Sequence, residues 1–312
     1  MYPSSKKPDF NISSGTIVTG KWHQKHYQIL KPLGYGAQGT VFLAHSERGR
    51  VALKFAHENA NVISEVNVLN KFSKVQGKSL GPSLYDVDDW VTDNGSFSFY
   101  AMEYINGTPL LDCVRVRGFE WMHVFMLQLL KDLDRLHREG WAFGDLKPEN
   151  LIVTGPPLTI RWLDVGGITQ IGRSIKEYTE FFDRGYWGMG SRKAEPSYDL
   201  FACAMILINA ATQKRFEKDR EPDKQLIAMI SRIGKLEPYR HILKNALVGD
   251  YLNARQMRED LLLNISETQS EDKRNYNTAP RPRKKKKEWK GTLVLATVIL
   301  FAYILYVVFF IM

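Results

Sequence analysis

The residue types with the clearest chemical potential lie between residues 145 and 164. The segment DLKPEN at residues 145–150 combines carboxylate, ammonium and amide groups, and Asp164 follows Asn150 fourteen residues later. Asp145 can orient a substrate hydroxyl or accept its proton, and Lys147 can neutralise a phosphoryl group in transfer. Asn150 and Asp164 offer the oxygen ligands that Mg²⁺ prefers. Phosphoryl transfer needs this equipment, because it depends on positioning, metal ions and positive charge.

A glycine-rich segment lies upstream of these residues. Residues 34–41 read GYGAQGTV, which is the pattern GxGxxGxV between two stretches of strand-like sequence. Glycines let a tight hairpin bring backbone N–H groups close to phosphate oxygens. A dinucleotide-binding fingerprint would require a helix after the glycines, whereas TVFLA at residues 40–44 is typical of a strand. We therefore predict a phosphate-binding hairpin, with an ordinary glycine-rich hairpin as the alternative.

Lys54 lies one strand later, in VALKFA at residues 51–56. A lysine that points inward from a strand is costly unless it meets an anion, and nucleotide phosphates would supply one. Glu65 lies on a helical pattern and could pair with Lys54. A purely structural salt bridge is the alternative for this pair.

The elements that must position these residues change along the chain. Strand patterns rich in β-branched and aromatic residues occur at residues 27–34, 40–44, 51–56 and 97–105. Helical patterns follow: one runs over residues 121–140 and stops at Gly140, and a strongly apolar one over residues 198–211 predicts a buried helix. Strands first and helices later indicate an α+β chain with two lobes.

In this order, residues 27–264 resemble Hanks-type protein kinases, through the glycine loop, the strand lysine, the helix glutamate, the catalytic loop and the metal-binding aspartate. The resemblance implies a two-lobed protein-kinase fold, with a small β-rich N-lobe over about residues 20–105 and a larger helical C-lobe over about 106–264, within a kinase domain at residues 1–264. It implies ATP and Mg²⁺, with Mn²⁺ as an alternative metal. Lys147, two residues after Asp145, resembles Ser/Thr rather than Tyr kinases.

The resemblance also assigns roles to individual residues. Met102-Glu103-Tyr104-Ile105 resembles the hinge that reads adenine through its backbone, and Asp199 resembles the aspartate that braces the catalytic loop. The ATP site that it implies comprises Leu33, Gly34, Tyr35, Gly36, Ala37, Gln38, Gly39, Val41, Ala52, Lys54, Glu65, Met102, Glu103, Ile105 and Ile152. Over its whole length, including residues 177–201, the chain is similar to the YabT kinases of spore-forming Bacillus relatives, which implies a role in sporulation.

Three departures from the family pattern matter. Phe143-Gly144 replaces the usual His-Arg before the catalytic aspartate, and Val165 replaces a phenylalanine. Without that arginine, we expect activity that does not depend on neutralising it by phosphorylation of the activation segment. The usual Ala-Pro-Glu is missing: Tyr186-Trp187-Gly188 lies near its position, while Ala194-Glu195-Pro196 is too close to Asp199 to serve. The sequence therefore does not show which residues anchor the substrate loop.

Hydroxyl groups after Asp164 are candidates for self-phosphorylation, which would require a transient dimer. They are Thr169, Ser174, Thr179 and Ser191. Loops carry many hydroxyls without modification, and Thr179 has the alternative of a structural contact with Asp145 and Lys147.

The C-terminal residues predict a membrane anchor. Residues 291–312 form a run of 22 residues without a charge, which as a helix spans a hydrocarbon core of about 30 Å. A buried core helix is the alternative. Residues 265–290 are polar and basic, contain Pro280 and Pro282, and indicate an extended cytoplasmic linker. Because positive residues stay on the cytoplasmic side, we expect a single-pass protein of the cell membrane with a cytoplasmic kinase domain.

The formal net charge of +9 is concentrated in one tract. Residues 273–290 carry nine basic side chains and one acidic one, so the rest of the chain is nearly neutral. The tract is interpreted as a topology signal that also attracts anionic lipid, or as a contact for non-specific DNA. The residues concerned are Arg281, Arg283, Lys284, Lys285, Lys286 and Lys287. Two distant cysteines, Cys113 and Cys203, and an N-terminus without a secretory pattern fit a reducing compartment.

The function that these patterns favour is a membrane-anchored protein Ser/Thr kinase that acts on protein hydroxyls and on itself. Two alternatives remain. Phe143-Gly144-Asp145 resembles the catalytic loops of kinases that act on small alcohols, although Lys147 and the full glycine loop argue against that class. A nucleotide-binding scaffold without turnover is the second alternative.

Overall fold

The computed structural model describes residues 12–36, 39–57, 59–73, 81–278 and 295–300. The chain divides into two units, Met1–Ser266 and Glu267–Met312. The first unit contains a sheet-rich N-terminal lobe and a helical C-terminal lobe, as predicted for a protein-kinase fold.

The N-terminal lobe is a six-stranded antiparallel sheet with one helix against it. The strands are β1 (Ile17–Thr19), β2 (His26–Gly36), β3 (Gly39–Ser46), β4 (Gly49–Ala56), β5 (Leu84–Thr92) and β6 (Gly95–Glu103), in the order β1-β2-β3-β4-β6-β5. Helix α1 (Asn59–Ser73) contacts β4, β5 and β6. Alternation along the strands directs Phe42, Phe55 and Phe99 into one apolar cluster, in which Phe42 and Phe55 meet edge to face at 5.9 Å.

Strand β5 was not predicted, because its sequence LYDVDDWVT carries three aspartates. Asp86 and Asp88 are buried, but their carboxylates have partners. The Tyr27 hydroxyl donates to Asp86 at 2.7 Å, and the backbone N–H groups of Trp22 and His23 donate to Asp88 at 2.9 and 2.8 Å. Since buried carboxylates are tolerated when they accept hydrogen bonds, the strand holds these acids against the turn before β2.

The C-terminal lobe is built on helices, and the two predicted in sequence are present. Helix α3 (Trp121–Arg138) ends just before Gly140, which has φ of +82°. Helix α4 (Pro196–Thr212) is apolar on every face and buried along almost its whole length. The remaining helices of the lobe are α2 (Leu110–Arg117), α5 (Pro222–Arg232), α6 (Arg240–Val248) and α7 (Ala254–Thr278).

The C-terminal lobe also contains short strands in two small sheets. One sheet has the order β10-β9-β7, and the other pairs β11 with β8. The strands are β7 (Thr108–Pro109), β8 (Trp141–Ala142), β9 (Leu151–Thr154), β10 (Thr159–Trp162) and β11 (Thr169–Gln170). The catalytic segment therefore lies between β8 and β9, and Asp164 lies two residues after the end of β10.

The prediction of an extended linker is wrong for residues 265–278, which continue helix α7. No Gly or Pro interrupts this stretch, so helix α7 can continue through it, although weak helix formers such as Ser, Thr and Asn are frequent. Of the predicted membrane span at residues 291–312, only residues 295–300 belong to the part that the structure describes, and they are helical. Within that part, no helix has both the length and the apolar character needed to span a membrane.

Candidate active site

Lys54 lies at the centre of the site and is held by two carboxylates from different elements. Its ammonium group on β4 lies 2.7 Å from Oε2 of Glu65 on α1 and 3.2 Å from Oδ1 of Asp164. Tyr100, the residue opposite Lys54 on β6, donates its hydroxyl to the same Glu65 oxygen. Three separate elements therefore fix the position of one cation.

The charges of this cluster follow from its burial. Lys54 is only 3% exposed, and burial alone would lower its pKa, but the carboxylates of Asp164 and Glu65 raise it, so the ammonium stays charged. Burial would raise the pKa of Asp164, yet the Lys54 ammonium and the Gly166 N–H hold it below its ordinary value. Burial raises the pKa of Glu65, against the opposing effects of Lys54 and Tyr100. Asp164 is therefore an ionised carboxylate.

The catalytic segment brings Asp145, Lys147 and Thr179 together. The Thr179 hydroxyl donates to Oδ1 of Asp145 at 2.9 Å, while the Lys147 ammonium lies 2.5 Å from Oδ2 of Asp145 and 3.0 Å from the Thr179 oxygen. Asn150 donates its side-chain amide to the Asp145 carbonyl at 2.9 Å. That bond uses the amide nitrogen and leaves the amide oxygen for a cation.

Asp199, at the start of α4, supports this segment from below. Its fully buried carboxylate accepts hydrogen bonds from the backbone N–H of Phe143 at 2.7 Å and of Gly144 at 3.0 Å. His137 at the end of α3 adds an imidazole contact at 2.8 Å. The position of Asp145 is therefore fixed through its two preceding backbone amides.

A cavity of about 730 Å³ joins these groups. Its wall includes Lys54, Asp145 and Asp164, together with Leu33, Gly34, Tyr35, Gly39, Val41, Lys147, Glu149, Asn150, Lys176, Glu177 and Tyr178. The hairpin of β2 and β3 thus lies over the same space as the catalytic segment. Ala37 and Gln38, at the tip of the hairpin, lie outside the described residues.

Four apolar residues predicted for the ATP site are buried and do not line this cavity. They are Ala52, Met102, Ile105 and Ile152. Ala52 and Met102 face each other across β4 and β6. Glu103 directs its side chain to Arg161, whose guanidinium donates at 3.0 and 2.9 Å to the two carboxylate oxygens. The Glu103 N–H donates to the Ser83 carbonyl at 2.8 Å, so neither this N–H nor the carboxylate is free to meet a nucleotide base.

Comparison with known proteins decides the family. The sequence profile of the protein kinase domain matches residues 27–269. The chain belongs to the protein kinase family. Serine/threonine-protein kinase YabT of Bacillus subtilis (strain 168) is 49% identical over 282 residues, which cover 90% of this chain and 83% of that protein. Serine/threonine-protein kinase PknD of Mycobacterium tuberculosis is 27% identical over 198 residues, 58% of this chain and 29% of that protein. The chain is a bacterial Hanks-type serine/threonine-protein kinase.

The two replaced residues before Asp145 have a structural explanation in this kinase. Phe143 is buried and meets the Trp162 ring edge to face at 5.0 Å. Gly144 has φ of +82°, and a Cβ at this position would lie 2.5 Å from the carbonyl oxygen of Gly167. The backbone after Asp164 therefore packs directly on the catalytic loop, in space that an arginine side chain at residue 144 would need.

The loop after Thr179 is held by Asp183, which the sequence did not identify, and by Glu195, for which the expectation that it lies too close to Asp199 to serve is wrong. Asp183 is fully buried and accepts hydrogen bonds from the N–H groups of Gly185 and Tyr186 at 3.0 and 2.9 Å and from the Tyr198 hydroxyl at 2.9 Å. Arg192 pairs with the same carboxylate at 2.7 Å. Arg184 forms a second ion pair, with Glu195. The sequence does contain a sign of this cluster, because Asp183 directly follows Phe181 and Phe182. A carboxylate next to two apolar residues is costly to bury unless it has partners.

The four hydroxyls predicted for self-phosphorylation have different surroundings. Thr179 contacts Asp145 and Lys147, which is the structural contact predicted as the alternative to its phosphorylation. Thr169 donates to the Gly167 carbonyl at 3.0 Å. Ser191 accepts a long contact from the Lys193 N–H at 3.4 Å, and Ser174 is exposed on the same segment. The basic residues from Arg281 to Lys287 lie outside the described residues.

Proposed function

We propose that this kinase transfers the γ-phosphoryl group of ATP to serine and threonine hydroxyls of proteins, with Lys54, Asp145, Lys147, Asn150 and Asp164 at the reacting centre. The observation that supports the proposal most strongly is that the charged side chains of the site already form ion pairs with one another. Lys54 is already held by Glu65 and Asp164, and Asp145 already lies beside Lys147. Because little has to rearrange, the site is preorganised for phosphoryl transfer.

The residues fit magnesium and a triphosphate. The oxygen of Asn150 and the ionised carboxylate of Asp164 would hold Mg²⁺, which neutralises negative charge on the phosphates when bound. Lys54 extends between the glycine hairpin and Asp164, where it would meet the α- and β-phosphate oxygens. Backbone N–H groups of the glycine hairpin, whose described residues include Gly34 and Gly39, would cover the remaining oxygens.

Asp145 carries the acceptor side of the reaction. Its Oδ1 already accepts a hydrogen bond from the Thr179 hydroxyl, so it can hold a substrate hydroxyl in the same way and take its proton. Lys147 places a positive charge beside that oxygen, where it would offset negative charge on the phosphoryl group in transfer.

A protein acceptor fits the site better than a small alcohol. The loop anchored by Asp183 and Arg192 continues directly from Thr179, so a fixed stretch of polypeptide borders the catalytic residues. Such a surface suits an extended peptide, whereas an enzyme for a small alcohol needs no support of this kind.

Transfer of radiolabelled phosphate from ATP tests the proposal, with the full chain, a basic model protein and a panel of small alcohols as acceptors. We expect label on protein, and a loss of about 10²- to 10⁴-fold for Asp145→Asn. Asp145→Asn should still bind ATP, whereas Lys54→Met should weaken ATP binding as well. ATP binding without transfer by the wild type would indicate a scaffold, and label on alcohols alone would indicate the other kinase class.

We extend the proposal to attachment at the cell membrane through residues 291–312, with the kinase domain, residues 1–264, in the cytoplasm. Its support is the run of 22 uncharged residues directly after a basic tract. Fractionation of cells that express the full chain tests it. The kinase should stay with membranes after alkaline extraction, and a variant that ends at residue 290 should be released.

We further propose that the basic tract at residues 281–287 contacts anionic lipid or non-specific DNA and thereby regulates the kinase. The density of basic residues supports either polyanion. Self-phosphorylation in a transient dimer, and a role in sporulation, complete the proposal by resemblance to the YabT kinases.

A further inference from the structure

A second cavity, of about 370 Å³, lies beside Thr179, and we call it the Thr179 cavity. Thr179 is half-buried in its wall, and the hydroxyl of the same residue donates to Oδ1 of Asp145 at 2.9 Å. A single side chain therefore separates the cavity from the carboxylate that receives the acceptor hydroxyl. Because consecutive Cα atoms are only about 3.8 Å apart, an acceptor protein that binds at Asp145 brings its neighbouring residues close to the Thr179 cavity.

Aromatic rings form the apolar part of the wall. Phe181 and Phe216 meet edge to face at 5.0 Å, and Tyr186 adds a third ring. Trp187 supports them, since its ring centre lies 5.7 Å from that of Phe216 and its indole N–H donates to the Phe181 carbonyl at 2.9 Å. The rings are therefore held in place by the fold. Aromatic faces attract cations as well as apolar groups.

Two carboxylates line the same cavity, those of Glu180 and Glu217, and both side chains are exposed. Glu180 directly follows Thr179, whereas Glu217 belongs to the loop between α4 and α5. In the part of the chain that the structure describes, neither carboxylate forms an ion pair or accepts a hydrogen bond. Two acids from separate segments at one cavity favour a cation as its occupant.

Two cations near the cavity do not cancel this charge. Arg215 lines the wall, but its guanidinium pairs with Glu149 and lies 4.9 Å from the centre of the Phe182 ring. Lys218, outside the wall, places its ammonium 4.4 Å from the centre of the Tyr186 ring and donates to the Tyr186 carbonyl at 2.7 Å. With Glu149 and both cations counted, three carboxylates still face two cations. Lys218 also shows that the Tyr186 ring accepts an ammonium group.

We propose that the Thr179 cavity binds a lysine or arginine side chain of the acceptor protein, a few residues from the hydroxyl that is phosphorylated. The apolar stem of such a side chain packs on the aromatic rings, while its cationic head meets Glu180 and Glu217. A wholly apolar side chain would cover the two carboxylates without giving them a partner, which is costly. Glu180 and Glu217 thus determine which serines and threonines the kinase selects. The inference rests on the proposed transfer to proteins.

The first experiment uses the full chain, Mg²⁺, ATP and peptides in which one lysine is moved through the positions on both sides of a single serine. Norleucine at the same positions is the uncharged control. We expect one position at which lysine raises kcat/KM about fivefold or more over norleucine, mainly through a lower KM, because the contact is made equally before and during transfer. Equal values for lysine and norleucine at every position overturn the inference and leave the proposed function intact. No transfer to any peptide or to a basic model protein overturns the proposed function itself.

The second experiment assigns the preference to the cavity. Glu180→Gln and Glu217→Gln should each lower the ratio of kcat/KM for the lysine peptide to that for the norleucine peptide, and together they should bring it close to one. Glu221→Gln is the matched control, because Glu221 is an exposed acid four residues from Glu217 that does not line the cavity. It should keep the wild-type ratio. A ratio that survives both changes shows that another site binds the cation and overturns the inference.

Charge reversal provides a test that a loss of folded protein cannot imitate. Glu217→Lys should phosphorylate a peptide with glutamate at the selected position about threefold or more faster than wild type does, because the new lysine pairs with that glutamate. Glu221→Lys, which adds the same charge outside the cavity, should give no such gain. The absence of a gain for Glu217→Lys, or an equal gain for Glu221→Lys, would show that Glu217 does not meet the acceptor side chain.

Discussion

At the scale of single residues, the site depends on hydrogen bonds to buried carboxylates. Tyr100 is 1% exposed and donates its hydroxyl to Glu65, the partner of Lys54. Tyr27 makes the same kind of bond to Asp86 at 2.7 Å in the outer part of the N-terminal lobe. The two tyrosines can therefore be compared directly, because both donate to a buried carboxylate but only the Tyr100 bond involves a residue that holds Lys54.

We expect Tyr100→Phe and Tyr27→Phe each to lower the free energy of unfolding by about 1–3 kcal/mol, because each removes a hydrogen bond to a charged group. Only Tyr100→Phe should raise KM for ATP, since only it loosens the glutamate that holds Lys54. Urea unfolding and steady-state kinetics on both variants give the comparison. An equal rise in KM for both would show that reduced stability, and not the position of Glu65, controls ATP binding.

Gly144 offers a second test at this scale. Gly144 and Gly249 both have φ of +82°, but a Cβ at Gly144 would lie 2.5 Å from the Gly167 carbonyl oxygen, whereas one at Gly249 meets nothing within 4 Å. Both alanine variants carry the cost of a left-handed backbone, about 1–2 kcal/mol. Gly144→Ala should lose more stability and lower kcat at least tenfold, because the catalytic loop must shift. Gly249→Ala should keep the wild-type kcat, and a normal kcat for Gly144→Ala would mean that the contact with Gly167 does not set the position of Asp145.

At the scale of elements, one ion pair joins the end of β6 to β10. Burial acts to raise the pKa of Glu103, but hydrogen bonds from Arg161 and Ser83 hold it below its ordinary value of 4.5. A carboxyl group with a depressed pKa in the folded state contributes stability above its unfolded pKa, and that contribution is lost as pH falls through the folded value.

Wild type should therefore lose about 1 kcal/mol more stability than Glu103→Gln between about pH 5 and pH 3, since the pair is bidentate and only partly exposed. Glu237→Gln is the control, because Glu237 forms an exposed pair with Arg240. It should show the wild-type acid dependence. Thermal unfolding at several pH values measures the difference, and identical acid profiles for Glu103→Gln and wild type would contradict the pKa assigned to Glu103.

Sequence predicted the elements whose patterns are local. The lysine strand, the helix before the catalytic loop and the buried helix α4 all follow from periodicity, and the structure confirms them. Strand β5 and the Asp183 cluster could not be predicted in this way, because their acids are stable only through partners distant in sequence, such as Tyr27 for Asp86 at 59 residues.

At the scale of the whole molecule, the excess of basic residues and the catalytic residues lie in different parts of the sequence. At the reacting centre of the catalytic cavity, two lysines are balanced by carboxylates, Lys54 by Glu65 and Lys147 by Asp145. The excess charge of the chain lies instead in residues 273–290. A polyanion should therefore bind to that tract and change activity without competing for the cavity, so the tract and the cavity can be tested independently.

The salt dependence of DNA binding provides that test. Removing one lysine–phosphate interaction should lower the slope of log K against log salt by about 0.9 on duplex DNA, so changing Lys284, Lys285, Lys286 and Lys287 to Gln should lower it by about 3 to 4. The matched control changes four exposed lysines of the kinase domain, Lys214, Lys224, Lys235 and Lys244, to Gln and removes the same charge. If the tract binds the DNA, the control should keep most of the wild-type slope, because long-range attraction is screened beyond about 10 Å at 0.1 M salt. Equal decreases in slope for both variants would show that DNA responds to net charge alone, and the tract would then act as a signal for membrane topology.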